Sequence, residues 1–162
     1  MPSRSENLPN IQVPKSEANV IPFEPHDYTD FHDGDDGGPE LPLINTFDID
    51  GVIFMGDEFT GVWPGPEDII ITGRSITQSD ETLSMLRERG IFNQVYFNPL
   101  RRSDPEYSRE TSGEWKAKVL RMLQICYDIG IHFEDDPIQI EKIQQAKLDI
   151  NIVHLHHTLT VK

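Results

Sequence analysis

The sequence predicts a three-layer α/β/α sandwich around a parallel five-stranded sheet. Two observations carry that expectation. From residue 43 onward, short apolar runs rich in Ile, Val and Phe recur, each of a length suited to a buried strand. Between them lie stretches with apolar residues at helical spacing, punctuated by glycine or proline. Strands and helices in alternation make a parallel sheet with helices on both faces.

Taken in order, LINTF (43–47) is the first buried strand. VIFMGDEFTGVW (52–63) carries Gly56 and Gly61 among aromatic and β-branched residues, which predicts a small β-hairpin flap. DIIIT (68–72) is the second strand. DETLSMLRERG (80–90) reads as a helix with Leu83 and Leu86 on one face, Ser79 as N-cap and Gly90 as its stop. QVYF (94–97) is the third strand. In 113–130 Trp115, Val119, Met122, Cys126 and Ile129 repeat at helical spacing up to Gly130. IHFED (131–135) is the fourth strand, 137–147 a helix opened by Pro137, and INIVHL (150–155) the fifth strand.

The first forty residues differ in kind. They hold six of the twelve prolines and nine acidic against two basic side chains, half of the net charge of −14. With no sustained period of 2 or 3.6, residues 1–42 read as a flexible acidic, proline-rich arm and 43–162 as the globular domain. Ile21, Phe23 and Tyr28 are the arm residues able to pin it to the body, and DFHDGDDGG (30–38) lacks the spacing of a calcium loop. The acidic balance works against long nucleic acid, whose binding depends on Lys and Arg contacts to phosphate. No apolar run reaches a membrane span, and the N-terminus has no continuous apolar segment of a secretory signal. A single cysteine, Cys126, fits a reducing compartment. A soluble cytoplasmic protein is the expectation.

Chemistry gathers at the strand ends. The first strand runs into Asp48-Ile49-Asp50-Gly51, the second into Thr72-Gly73-Arg74, and the fourth into Glu134-Asp135-Asp136. In a parallel sheet these ends open on one crevice. Packed carboxylates repel one another unless a cation neutralises them, and an oxygen-only set favours Mg²⁺. In an extended D-x-D the two side chains point the same way, so one carboxylate can attack while the other handles protons.

FDIDGVIF, IITGR, WKAKVL and HFEDDP, in that order, resemble the four motifs of the haloacid dehalogenase-like superfamily. The similarity spans roughly 43–155 and is nearest to small capless members related to the phosphatase domain of polynucleotide kinase. It implies a Rossmann-like fold and an Mg²⁺-dependent phosphomonoester hydrolase. Asp48 is then the nucleophile that forms an aspartyl-phosphate. Asp50 protonates the leaving oxygen and activates water, and lends its carbonyl to the metal. Thr72 holds phosphoryl oxygens, with Gly73 and Arg74 beside it in substrate binding. Lys116 neutralises the reacting charges, with Lys118 as the competing candidate for that role. Asp48, Asp50 and Asp135 hold Mg²⁺, and Asp136 supports Asp135. About twenty residues separate Asp50 from Thr72, too few for a cap domain, so an open mouth is expected. Position 52 is Val where many members carry Thr.

The partner implied is a phosphorylated small molecule or macromolecule, including a nucleotide or a phosphorylated nucleic-acid end. A regulatory protein that keeps the scaffold without turnover, and a phosphotransferase, are the alternatives. Arg101 and Arg102 are read either as substrate contacts or as solvated loop charges. His154, His156 and His157 are read as surface or packing residues away from the acids.

Overall fold

A computed structural model describes residues 40–156, and the account below concerns the unit that begins at Leu43. The arm with Ile21, Phe23 and Tyr28, the 30–38 run and His157 lie outside the described residues. Five strands, β1 (Leu43–Phe47), β2 (Ile69–Ser75), β3 (Val95–Asn98), β4 (Asp128–Glu134) and β5 (Asn151–His154), form one sheet in the order β3-β2-β1-β4-β5. Every pairing is parallel. Three helices, α1 (Ser79–Glu88), α2 (Arg109–Leu123) and α3 (Pro137–Gln145), complete a Rossmann-like α/β sandwich, as expected.

The period of 2 in the strands sorts the core. Ile69 and Ile71 face a cluster with Ala117, Leu120 and Leu123 of α2 and Ile143 of α3. Ile70, between them, faces the opposite cluster with Phe47, Val52, Ile53 and Leu86 of α1. Each fully buried aliphatic side chain contributes about 1.5–3 kcal/mol, so both layers are held mainly by Ile and Leu.

Several local expectations are corrected. Ser79 is not an N-cap: a 3₁₀ turn, Ile76–Gln78, precedes α1, and its cap is Ser75, whose Oγ accepts from Thr77 N at 3.1 Å. Gly90 does stop α1, at φ +81°. The second long helix starts earlier and stops earlier than its apolar spacing suggests. Ser108 caps it, accepting from Thr111 N at 3.0 Å, and Leu123 ends it, so Cys126 lies beyond it and Ile129 belongs to β4. Its buried face runs through Ser112, Gly113, Lys116, Ala117, Val119, Leu120 and Leu123, while Met122 is 47% exposed. A buried lysine, serine and glycine hid that face from a hydrophobicity pattern. The flap has no strands: one antiparallel bridge joins Met55 to Glu58 around Gly56 at φ +63°. Gly61 N and Val62 N then donate to Ile53 O and Val52 O at 3.1 and 2.8 Å, folding the segment back on itself.

Two irregularities position the site. Between β1 and β4 the register advances from Ile44 to Thr46 on one strand but from Ile129 to His132 on the other. This is a bulge with one extra residue in β4, and the Asn45 side chain accepts from Ile131 N there at 3.0 Å. Because side chains alternate, the extra residue turns His132 and Glu134 to the face that carries Thr46. Between β2 and β3 the register passes from Thr72↔Phe97 to Ser75↔Asn98, so Gly73 and Arg74 loop outward.

Helices α2 and α3 meet at Gly113. An added Cβ there would lie 2.9 Å from the Gln139 backbone and 2.8 Å from Lys142 Cβ. Removing a mid-helix glycine ordinarily gains about 1 kcal/mol, whereas overpacking costs about 1–3 kcal/mol. Because the obstacle includes backbone, overpacking wins. Gly113→Ala is expected to lower stability by roughly 1–2 kcal/mol in urea unfolding; a gain would show that α3 yields freely.

Candidate active site

The site is built from the carboxyl ends of the strands. Asp48 follows β1 and is buried; its Oδ1 accepts from Ile49 N at 2.7 Å. The chain then turns at once, with Ile53 N and Phe54 N both donating to Ile49 O at 2.9 Å. Asp50 lines the same cleft as Asp48. Its carboxylate takes a two-pronged ion pair from Arg74, with Nε and Nη2 each at 2.8 Å. Arg74 also reaches Thr82 Oγ1 at 3.1 Å, and the bond to Asp50 holds its pKa above the ordinary value.

Beneath Asp48 lies Lys116, wholly buried on α2. Its Nζ stands 2.9 Å from Asp48 Oδ2 and 2.8 Å from Glu134 Oε1. Lys118, two residues on, is exposed. Glu134 Oε1 also receives His132 Nε2 at 3.1 Å, and the other ring nitrogen, Nδ1, lies 2.8 Å from Thr46 Oγ1. Sequence reasoning missed Thr46 and His132, and it noted Glu134 only as a member of the acidic run. Nothing in their residue types announces them, because a bulge brings them to this face.

The charges decide one another. Burial, then the nearby Glu134, push the Asp48 carboxyl well above the usual carboxylate range against the pull of Lys116. Burial also works to raise Glu134, but Lys116 and His132 together overcome it and hold it well below that range. Lys116 is driven up despite burial, by Asp48 and Glu134. Burial lowers the pKa of His132, leaving the imidazole neutral near pH 7.

Asp48, Glu134 and Asp135 each offer a carboxylate oxygen, and these atoms lie within 4.8 Å of one another. Among the described residues this is the acidic group able to hold a metal ion. Two observations support the fit. Glu134 Oε2 is buried without a hydrogen-bond partner, an expensive state for a carboxylate oxygen unless something else meets it. All donors are carboxylate oxygens, the ligand set of a hard divalent cation. Gly51 makes room for the cluster: at φ +82°, a Cβ there would fall on the Asp135 carboxylate. The Asp50 side chain stands outside this group, tied to Arg74.

Asp136 caps α3, accepting from Ile138 N at 2.9 Å, and pairs with Arg109 at 2.8 Å. Thr72 is fully buried, and its hydroxyl accepts from Arg74 N at 3.1 Å, fixing the outward loop. Tyr107 donates to Gly73 O at 2.8 Å from the long 98–112 connection. Above these residues opens a cleft of about 840 Å³ lined by Asp48, Arg74, Arg102, Tyr107, Arg109 and Asp135, among others. Arg101 pairs with Asp104 instead, at 3.6 Å. His154 is not remote from the acids, since β5 lies beside β4 and its Nε2 is 3.2 Å from Asp135 O.

No family model and no curated protein matches the chain. Among solved structures, a chain of the Pnkp1/Rnl/Hen1 complex is similar, with a TM-score of 0.53 and 15% identity. The match covers 78% of this chain and 49% of that one, so the chain spans about half the length of that neighbour. At this identity the similarity speaks for the fold. No described helix is long and apolar enough to cross a membrane.

Replacing Lys116 by Met would leave Asp48 and Glu134 buried without their cation. Breaking a buried pair from one side costs about 3–5 kcal/mol. The cost has a pH sign. Without the lysine burial raises both carboxyls in the folded state, so the penalty is absent below the unfolded value near 4, grows as pH rises and is full only above the raised folded values. The Lys116→Met deficit in urea unfolding should be large at pH 7 and shrink towards pH 3–4. An equal deficit at both would mean that the lysine acts by packing alone.

Proposed function

We propose that the chain is an Mg²⁺-dependent phosphomonoester hydrolase with Asp48 as its nucleophile. The observation that carries this reading is the Asp48–Lys116–Glu134 arrangement, a carboxylate at the floor of an open cleft held by a fully buried lysine beside a further acidic pair. Ion pairs of this depth rarely favour stability on their own account, because desolvation offsets the attraction. A reacting group explains the burial.

Asp48 attacks phosphorus, the bond to the leaving oxygen breaks, and that oxygen takes a proton from Asp50, which picks one up from solvent once substrate has drawn Arg74 away. Water, deprotonated by Asp50, then displaces Asp48 from phosphorus and releases phosphate. Lys116 keeps Asp48 oriented and offsets its charge, a preorganised contribution that needs no rearrangement during reaction. The hydroxyl hydrogen of Thr72 is left to donate to a phosphoryl oxygen, because its oxygen already accepts from Arg74 N. Arg74 holds Asp50 at the mouth of the cleft until substrate competes for the guanidinium. Asp48, Glu134 and Asp135, with the Asp50 carbonyl, would hold the metal, which would favour the ionised form of Asp48 and supply charge neutralisation for an anion to approach an anion.

The substrate class we favour is a nucleotide or a phosphorylated nucleic-acid end. The motif resemblance points that way, as does the named complex in which the similar fold occurs. Arginines in the cleft suit a short phosphorylated ligand in a chain whose charge of −14 disfavours long polynucleotides.

Asp48→Asn should reduce turnover by at least about a thousandfold with Mg²⁺ saturating. Acid quenching of the parent protein with ³²P-substrate should trap labelled enzyme, and the Asn variant should trap none. Parent protein that turns over without a labelled intermediate would point to direct attack by water. Asp50→Asn should cost roughly a hundredfold on alkyl phosphates and far less on nitrophenyl phosphate, whose leaving group needs little protonation. Equal losses on both would remove Asp50 from the acid role.

A further inference from the structure

His132 and Thr46 form a buried pair for which the proposed reaction has no use. Both are 0% exposed, as is Glu134. A carboxylate only accepts hydrogen bonds, so His132 Nε2, 3.1 Å from Glu134 Oε1, carries the ring proton. In the neutral ring Nδ1 then accepts, and Thr46, 2.8 Å away, donates its hydroxyl. The directed chain runs from the Thr46 hydroxyl through the imidazole to Glu134, whose Oε1 also takes Lys116 Nζ at 2.8 Å. Two donors thus converge on one oxygen of Glu134. Its second oxygen, Oε2, is buried and has no protein partner.

We infer that His132, fixed by Thr46, is a positioning residue that turns Glu134 so that Oε2 is the oxygen presented to a divalent cation beside Asp48 and Asp135. Without the pin, the carboxylate is free to swing, share both oxygens with Lys116 and leave the cluster one ligand short. The β4 bulge is what makes the pin available, since it brings His132 into register with Thr46. A hydrogen-bonded partner behind a metal ligand is commonly worth tenfold or more in affinity.

The inference rests on the metal site of the phosphatase reading, but its tests need no substrate. Mn²⁺ binding to the full chain, followed by electron paramagnetic resonance, is compared among the parent, Thr46→Val and Thr46→Ser. Valine keeps the volume and removes the hydroxyl; serine restores it. Thr46→Val should weaken Mn²⁺ binding about tenfold and Thr46→Ser by no more than about twofold. Equal binding by all three, or equal loss in both variants, overturns the inference. A ¹H–¹⁵N spectrum of the metal-free parent, labelled at histidine, should show His132 as the Nε2-protonated tautomer; the Nδ1-protonated form would overturn it too. Should Thr46→Val fail to fold, His132→Gln, which keeps a donor near Nε2, is compared with His132→Leu. Glutamine must bind Mn²⁺ more tightly than leucine for the inference to survive. Where turnover is measurable, Thr46→Val should lower kcat at fixed Mg²⁺ with KM little changed. If the protein binds Mn²⁺ as described yet hydrolyses no phosphomonoester, the phosphatase reading fails and the positioning role stands.

Discussion

The ammonium of Lys116, buried between Asp48 and Glu134, is the constraint around which the domain is arranged. A lone buried cation is too costly to keep, and so is a lone buried carboxylate, so none of the three tolerates loss of its neighbours. The lysine must come from the first half of α2, and the two acids from the ends of adjacent strands β1 and β4. That fixes the height at which α2 crosses the sheet. Its packing neighbours follow: Gly113, one turn earlier, lets α3 approach, and Leu120 and Leu123, one and two turns later, fill the core against Ile71 and Ile143.

From that fixed point the cleft acquires its shape. The Ser108 cap starts α2 early enough to bring Arg109 to Asp136, and Asp136 in turn caps α3. One carboxylate thereby ties the starts of two helices at one edge of the mouth. At the other edge the outward loop of β2 places Arg74 over Asp50, and Tyr107 locks that loop through the Gly73 carbonyl. The polar residues at the mouth are thus held by one another, while those at the floor are held by burial. Rearranging the mouth requires breaking only exposed ion pairs, individually worth little. The floor has no such freedom.

The strands, their parallel order and the crevice were legible because each rests on a pattern of many residues. Ile69, Ile70 and Ile71 could hardly form anything but a two-faced buried strand, and Gly90 and Pro137 mark helix ends by backbone chemistry alone. What escaped was whatever depended on one residue of register. The β4 bulge leaves no signature in IHFED, yet it decides that His132 and Glu134, not Ile131 and Phe133, face Thr46. The α2 face was misread for a related reason. A lysine counts as polar in any periodicity, so the stripe was drawn through Met122 when the buried one passes through Lys116.

These misreadings have a common cause that bears on function. Local propensity and global fold agree over most of the domain and part company where a charged or polar group is buried: Lys116, Glu134, His132 and Thr46. Sequences that fold reliably keep such conflicts few, and those that persist mark sites where something other than stability is being served. Four of them adjoin one another, and the chain of hydrogen bonds through them ends in a carboxylate oxygen that no protein group satisfies. An unsatisfied buried acceptor costs on the order of 1–3 kcal/mol, and this one lies beside Asp48 and Asp135. A cation bound there would meet that oxygen together with those of Asp48 and Asp135, three carboxylates able to share one charge.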